Sequence, residues 1–159
     1  MLMGRLKRMA GAILLVTFFG GCGSETSAPP AGAVLSLAGT DANNDGVRDD
    51  IETYIDATYP APANADTNRA LRQYAKAAQS SILDADDAAK SIAHVTDRFR
   101  ALECLMARRA TDFHPVFVEL RARILDTNPR SEAYLKADGQ AAAVNIPLRP
   151  AEQWVGACL

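Results

Sequence analysis

The sequence predicts an all-α fold, a small irregular bundle of about four to five helices. From residue 49 onward, apolar residues recur at three- and four-residue spacing, which is the period of a helix with one buried face. Prolines and clusters of aspartate or asparagine separate these periodic segments, and such residues are typical of helix ends. No run alternates apolar and polar residues as a half-buried strand requires. The 159 residues are enough for one domain.

The first two helices are predicted from their apolar stripes and from the residues at their ends. The first begins at Asp49 and is stopped by Pro60. The second begins between Asn64 and Asp66. Three aspartates after Ile82 mark a break and a new helix start, because carboxylates accept hydrogen bonds from the free amides there. The two stripes are Ile51, Tyr54, Ile55 and Tyr59, then Leu71, Tyr74, Ala75, Ala78 and Ile82.

The third helix has the most sustained periodic signal and is predicted to end near Arg108, where positive charge suits a helix C-terminus. Asp112 is predicted to cap a fourth helix. Asn128 followed by Pro129 is typical of a cap and a first helical residue, and it predicts a short fifth helix that Gly139 ends. The stripe of the third helix is Ala88, Ile92, Val95, Phe99, Leu102 and Met106.

The N-terminal residues have the pattern of an export signal. Three basic side chains precede the apolar run 9–19, which is too short to span a bilayer as a helix. The segment Phe19-Gly20-Gly21-Cys22 resembles the bacterial lipobox, although Phe19 stands where leucine is usual. The resemblance implies that residues 1–21 are a lipoprotein signal peptide and that Cys22 is lipidated, with palmitate among the acyl groups. The alternative is an ordinary secretory signal with an incidental cysteine.

A lipobox also implies a location. The protein would be anchored by lipid to a membrane of the cell envelope. Gly23 is not the aspartate that marks retention at the inner membrane in this class of protein. In a Gram-negative bacterium we therefore expect the outer membrane, with the protein facing the periplasm or the cell surface.

Composition divides the exported part into two regions. Residues 22–40 are rich in glycine, serine, alanine and proline, which predicts a flexible, disordered tether; residues 41–159 are predicted to form the helical domain. Removal of residues 1–21 leaves 14 basic and 19 acidic residues, a net charge of −5. An acidic exported protein is a poor binder of nucleic acid.

The three cysteines predict one disulfide. If Cys22 carries lipid, Cys104 and Cys158 remain, and an even pair usually forms a bridge in an oxidising compartment. Closing so long a loop stabilises the fold by roughly 4 kcal/mol in the chain-entropy treatment. The bridge would hold a final helical turn, which begins at Ala151, against the third helix. The alternative is two free thiols.

The segment 41–52 carries a suitable residue at every position that a twelve-residue calcium loop requires. Calcium is a hard cation that takes six to eight oxygen ligands. Gly46 permits the sharp turn at position six. The predicted ligands are Asp41, Asn43, Asp45, the Val47 carbonyl, Asp49 through water, and Glu52 through both oxygens. The segment resembles the EF-hand-like loops of secreted bacterial proteins, including dockerin and thrombospondin type 3 loops, and this resemblance implies that the cofactor is calcium.

Two features depart from a paired EF-hand. No helix enters the loop, and position eight is Arg48, where paired loops usually have an aliphatic residue; the sequence contains no second loop. We therefore expect a fixed structural site with an affinity on the order of 0.1–1 mM, as in extracellular modules. The alternative interpretation is an acidic turn in which Asp49 and Asp50 stabilise the start of a helix without any ion.

Other polar residues suggest no catalytic group. His94 and His114 lack metal-ligand spacing and are interpreted as structural. The arginines of the third helix suggest either an anion-binding face or a solvated face with pairs such as Asp97–Arg100.

The sequence thus predicts an exported, lipid-anchored calcium-binding envelope protein with a non-enzymatic structural role or a role in binding an envelope protein or polymer. An enzyme that processes envelope polymers, with calcium supporting its fold, is one alternative. A small exported inhibitor is another.

Overall fold

A computed structural model describes residues 36–159, which contain five α-helices and one C-terminal 3₁₀ helix. No strand occurs in these residues, so the prediction of an all-α fold with a small helical bundle is confirmed. The predicted signal peptide, Cys22 and most of the predicted tether lie outside the described residues. The elements are α1 (Asp49–Thr58), α2 (Ala65–Leu83), α3 (Ala88–Arg108), α4 (Phe113–Ile124), α5 (Asn128–Ala141) and the 3₁₀ helix (Ala151–Ala157).

Helix α2 is the centre of the bundle because it packs against all four other α-helices. Its buried face contains the alanines Ala70, Ala75 and Ala78. A short side chain lets neighbouring helices approach closely, so a core poor in aromatic residues still fills its interior. Leu71 on α2 and Leu105 on α3 are both fully buried and belong to the same apolar cluster.

Aspartates flank helices α3 and α4, but only one of them acts as a cap. The Asp87 carboxylate accepts a hydrogen bond from the Lys90 N–H at 3.0 Å, as the aspartate cluster predicts. Asp112 occupies the corresponding position before α4 and caps nothing there. Its carboxylate instead accepts from Arg109 Nε at 2.8 Å, because that guanidinium competes for the same oxygens.

Both predicted ends of α5 are wrong by one or two residues. Thr127 is the cap, and its hydroxyl oxygen accepts from the Arg130 N–H, so Asn128 is the first helical residue. At the other end, Gly139 lacks a positive φ and the helix continues to Ala141. A glycine within a helix costs only about 1 kcal/mol relative to alanine, which the packing of α5 on α2 and α3 can offset.

The C-terminal segment is fixed to α3 by covalent and ionic contacts. Cys104 and Cys158 form a disulfide with Cα atoms 4.9 Å apart, in agreement with the cysteine count. The neighbouring Glu103 side chain is 0% exposed and accepts from the Arg149 backbone N–H at 2.6 Å and from Arg149 Nε at 2.7 Å. Arg100 Nη1 donates to the same carboxylate at 2.6 Å. Arg100 therefore pairs with Glu103 rather than with Asp97.

The expectation of a solvated arginine face on α3 is wrong for Arg98. Its side chain is 5% exposed, pairs with Asp138 of α5, and lies with its guanidinium carbon 3.9 Å from the centre of the Tyr134 ring. A buried guanidinium needs such partners, because removal of a charge from water is costly unless it is paired.

The last residues of the predicted tether contact the helical domain. Arg130 donates to the carbonyls of Ser36 at 3.0 Å and Leu37 at 3.2 Å. Gln79 Nε2 donates to the carbonyls of Leu37 at 3.1 Å and Ala38 at 3.0 Å. The Leu37 side chain packs against the apolar core. These contacts place the start of the 41–52 segment at a defined position beside α2 and α5.

Candidate metal-binding loop

The backbone of the 41–52 segment makes its sharpest turn at Gly46. Gly46 has a φ of +89°, a left-handed conformation that glycine adopts without steric cost, and Asn44 has a φ of 56°. A Cβ atom at Gly46 would lie 3.2 Å from two carbons of the Lys76 side chain on α2. The left-handed turn therefore favours the glycine that the sequence places at position six, and a side chain there would also displace Lys76.

Carboxylates hold the shape of the loop by accepting hydrogen bonds from its own amides. Asp41 Oδ1 accepts from the Asp45 N–H at 3.2 Å, and Asp41 Oδ2 accepts from the Gly46 N–H at 2.9 Å. Asp45 Oδ1 accepts from the Val47 N–H at 2.9 Å. These bonds fold residues 41–47 back on themselves and engage Asp41 and Asp45, the first two acidic residues of the predicted ligand set.

Asp49 closes the loop at its far end. Its backbone N–H donates to the Thr40 carbonyl at 2.9 Å, and its carboxylate Oδ1 accepts from the Ala42 N–H at 2.9 Å. Asp49 is also the first residue of α1, so the loop and the helix start share one residue. Asp49 therefore stands at the start of α1, as predicted, and closes the loop at the same time.

Asn43, Asp45 and Glu52 meet at the centre of the loop. The Asn43 Nδ2 atom lies 3.3 Å from Asp45 Oδ2 and 3.3 Å from each oxygen of Glu52. Arg72 of α2 reaches the same oxygens: its Nη1 donates to Glu52 and lies 3.9 Å from Asp45 Oδ2. The carboxylates of Asp45 and Glu52 thus contact two donors. These donors are the Arg72 guanidinium and the Asn43 amide.

Arg72 is held in this position by two further residues. Its Nη2 atom is 2.8 Å from Asp56 Oδ2, and its Nε donates to Asn68 Oδ1 at 3.0 Å. Burial alone would lower the pKa of Arg72, but its hydrogen bonds to Asp56 and Glu52 outweigh burial and raise that pKa above its usual value. Hydrogen bonds from Asn68 and Arg72 in turn lower the pKa of Asp56. The network is charged at neutral pH.

The predicted ligands are only partly gathered. Across residues 36–159, no three Asp, Glu, His or Cys side chains are grouped closely enough to hold a metal ion. Asp41 and Asp49 contact backbone amides. Asp45 and Glu52 both contact Arg72 and the Asn43 amide. The role of the Val47 carbonyl as a calcium ligand stays a prediction. The Val47 side chain is buried. Calcium would need Arg72 to move and the Asn43 amide to turn its oxygen inward.

Arg48, the residue that departs from paired EF-hands, anchors the loop to the helical domain. Its side chain is 4% exposed. It donates to the Ile124 carbonyl at 3.1 Å and to Asp126 at 3.0 Å, both at the junction of α4 and α5, and to Asp50 at 2.9 Å. Position eight therefore connects this loop to its own domain, where paired loops use position eight to contact each other.

The two histidines are not brought into a common site. His94 Nε2 lies 3.0 Å from Asp84 Oδ2 in the turn between α2 and α3, and the His114 side chain is exposed.

No helix within residues 36–159 is both long and apolar enough to cross a membrane. Comparisons of the chain with protein-family models, with curated proteins and with solved structures yield no match.

Proposed function

We propose that this chain is an exported, lipid-anchored protein of the bacterial cell envelope that binds one calcium ion in the 41–52 loop. Its role is structural or lies in binding an envelope protein or polymer. The observation that carries the calcium proposal is the convergence of Asp45 and Glu52 on the Arg72 guanidinium and the Asn43 amide, in a segment with an oxygen at every ligand position. A place where acidic oxygens already surround a cation is electrostatically suited to a divalent ion.

Calcium binding would exchange one cation for another. Arg72 contributes one positive charge to Glu52 and Asp45, whereas calcium contributes two and can coordinate both oxygens of Glu52. The displaced guanidinium keeps its contacts with Asp56 and Asn68, so it would remain paired on α2. This competition accounts for the modest affinity that an isolated extracellular loop is expected to have.

The position of the loop suggests what the ion does. The loop follows directly after the docked residues 36–40 and runs into α1, and Arg48 connects it to α4 and α5. A calcium ion would therefore stiffen the junction between the lipid tether and the helical domain. Such an ion stabilises the folded protein by mass action, because the unfolded chain lacks the site.

The calcium proposal is tested by titration calorimetry on the mature chain carrying Cys22→Ser. We expect heat from binding of one ion with a dissociation constant on the order of 0.1–1 mM. Glu52→Gln removes a charge from the bidentate position and should weaken binding at least about tenfold. Glu132→Gln, the same change at an exposed site on α5, is the matched control and should bind as wild type. Absence of heat with the wild-type loop would contradict the proposal.

The lipid anchor is tested separately. The intact protein is expected in the membrane fraction, and Cys22→Ser should release it into the soluble fraction. Mass spectrometry of the mature N-terminus should show acylated Cys22. An unmodified Cys22, or cleavage at another position, would contradict the anchor and leave the calcium proposal unaffected.

A further inference from the structure

A cleft of about 800 Å³ lies between α2, α3 and the C-terminal segment. This volume is within the range of about 300–1,000 Å³ that small-molecule sites occupy. The buried alanines Ala77 of α2 and Ala157 of the 3₁₀ helix form apolar parts of its wall. Lysine and arginine side chains contribute from three parts of the fold. They are Arg69, Arg72 and Lys76 on α2, Arg100 on α3, and Arg149 before the 3₁₀ helix.

The charge of the cleft is unbalanced toward positive. Five Lys or Arg side chains line it, against two carboxylate side chains, Asp45 and Asp97. Each of the four arginines has a close carboxylate partner outside the lining of the cleft. Arg72 also lies 3.9 Å from Asp45, which lines the cleft. Lys76 makes no ion pair with any carboxylate of residues 36–159.

A second donor in the wall also lacks an acceptor. The Nη2 atom of Arg149 is buried and has no hydrogen-bond partner in the described part of the chain. A buried donor without an acceptor is costly, so a ligand that reaches it would recover that free energy. Lys76 thus lacks a carboxylate partner, whereas Arg149 pairs with Glu103 through Nε and keeps one donor, Nη2, without an acceptor.

We propose that this cleft binds a small amphipathic anion, an organic molecule with one acidic group and an apolar body. The acidic group would accept from Lys76 and Arg149, and the apolar body would lie against Ala77 and Ala157. Charge-assisted hydrogen bonds of this kind give orientation and affinity, while the apolar wall excludes water from the ligand. Two of the proposed calcium ligands, Asp45 and Val47, also line the cleft, so the two sites adjoin. The anion would contact neither of them, and its binding does not require calcium.

The proposal is tested with two dyes that share one apolar skeleton. 1-Anilinonaphthalene-8-sulfonate carries a negative charge, and N-phenyl-1-naphthylamine is the same molecule without the sulfonate. The mature chain carrying Cys22→Ser should bind the sulfonate dye about tenfold more tightly than the neutral dye in a fluorescence titration. The variant Lys76→Gln should weaken binding of the sulfonate dye about three- to tenfold and leave the neutral dye unchanged.

Two further variants show where the dye binds. Lys136→Gln removes the same charge from an exposed site on α5 outside the cleft, and both dyes should bind it as they bind wild type. Ser80→Trp places a large ring in the cleft at a half-buried position and should abolish binding of both dyes while the far-UV circular dichroism is unchanged. Equal affinity for the two dyes, an unchanged affinity in Lys76→Gln, or full binding by Ser80→Trp would overturn the proposal.

Discussion

Arg72 is the side chain that neutralises acidic residues of the 41–52 loop. Its guanidinium pairs with Glu52, Asp45 and Asp56 and is 27% exposed. The pairing neutralises carboxylates that would otherwise repel one another in the absence of a metal ion. The same pairing would oppose the proposed binding of calcium, because the ion would have to displace Arg72 from Glu52.

Replacement of Arg72 by glutamine is therefore expected to tighten calcium binding by about three- to tenfold, since a partly exposed ion pair contributes up to about 1 kcal/mol. The calcium-free variant should also be less stable than wild type by a similar amount. Calorimetry and urea unfolding measure the two effects. Arg69→Gln is the control, because Arg69 is exposed and, within residues 36–159, pairs only with Asp66. Weaker or unchanged calcium binding in Arg72→Gln would show that Arg72 does not compete with the ion.

The ion pairs of Glu103 lead us to expect that the protein loses folding stability in acid. Burial raises the pKa of its carboxyl, but hydrogen bonds from the Arg149 amide and side chain, with the charge of Arg100, outweigh burial and bring the pKa below its usual value of 4.5. A lowered pKa stabilises the fold fully above the unfolded-state value, and this contribution is lost as pH falls through the lower folded-state value.

Urea unfolding between pH 7 and pH 3 measures this contribution of Glu103. Wild type should lose stability as pH falls below about 4.5, and Glu103→Gln should be less stable at pH 7 with a smaller loss in acid. Glu132→Gln, at an exposed position, should keep the wild-type pH dependence. Parallel pH profiles for Glu103→Gln and wild type would contradict the role given to Glu103.

At the scale of elements, local periodicity was enough to predict α1 to α4 but not the end of α5. The stripe of α3 and the charge at Arg108 predict a helix end that the structure places at that residue. Helix α5 lacks a comparable stripe, and its stop at Gly139 depended on a glycine rule that tertiary packing overrides. Ion pairs between residues far apart in the sequence are a second limit on what the sequence predicts. The contact of Arg98 with Asp138 spans 40 residues, and no local pattern encodes it.

The disulfide gives a prediction at the same scale. The double variant Cys104→Ala, Cys158→Ala is expected to lose about 2–5 kcal/mol of stability. Loss should concentrate at the C-terminal segment, because the bridge joins that segment to α3. Hydrogen exchange should show faster exchange of the amides in Ala151–Ala157, while amides in α2 remain protected. Uniformly faster exchange in α2 and the 3₁₀ helix would show that the bridge supports the whole bundle instead.

For the whole molecule, the sequence predicted the helical class and the cysteine pairing, but not the contacts between the 41–52 segment and the helices. Arg48 was noted only as a departure from paired loops, yet it is buried against the α4–α5 junction. Arg72 carried no signal, because its contact with Glu52 joins residues on different helices. The loop residues could be singled out because the proposed calcium ligands are local in sequence, whereas the contact with Arg72 comes from the packing of α2.

A crystal structure of the protein grown with millimolar calcium tests the central claim most directly. We expect one ion with ligands at about 2.3–2.6 Å. The ligands should be Asp41, Asn43, Asp45, the Val47 carbonyl and Glu52, with Asp49 behind a water molecule. The Arg72 guanidinium should lie away from Glu52 and still contact Asp56 and Asn68. A loop that holds no ion under these conditions, with Arg72 still paired to Glu52, would show that the segment is an acidic helix start neutralised by arginine.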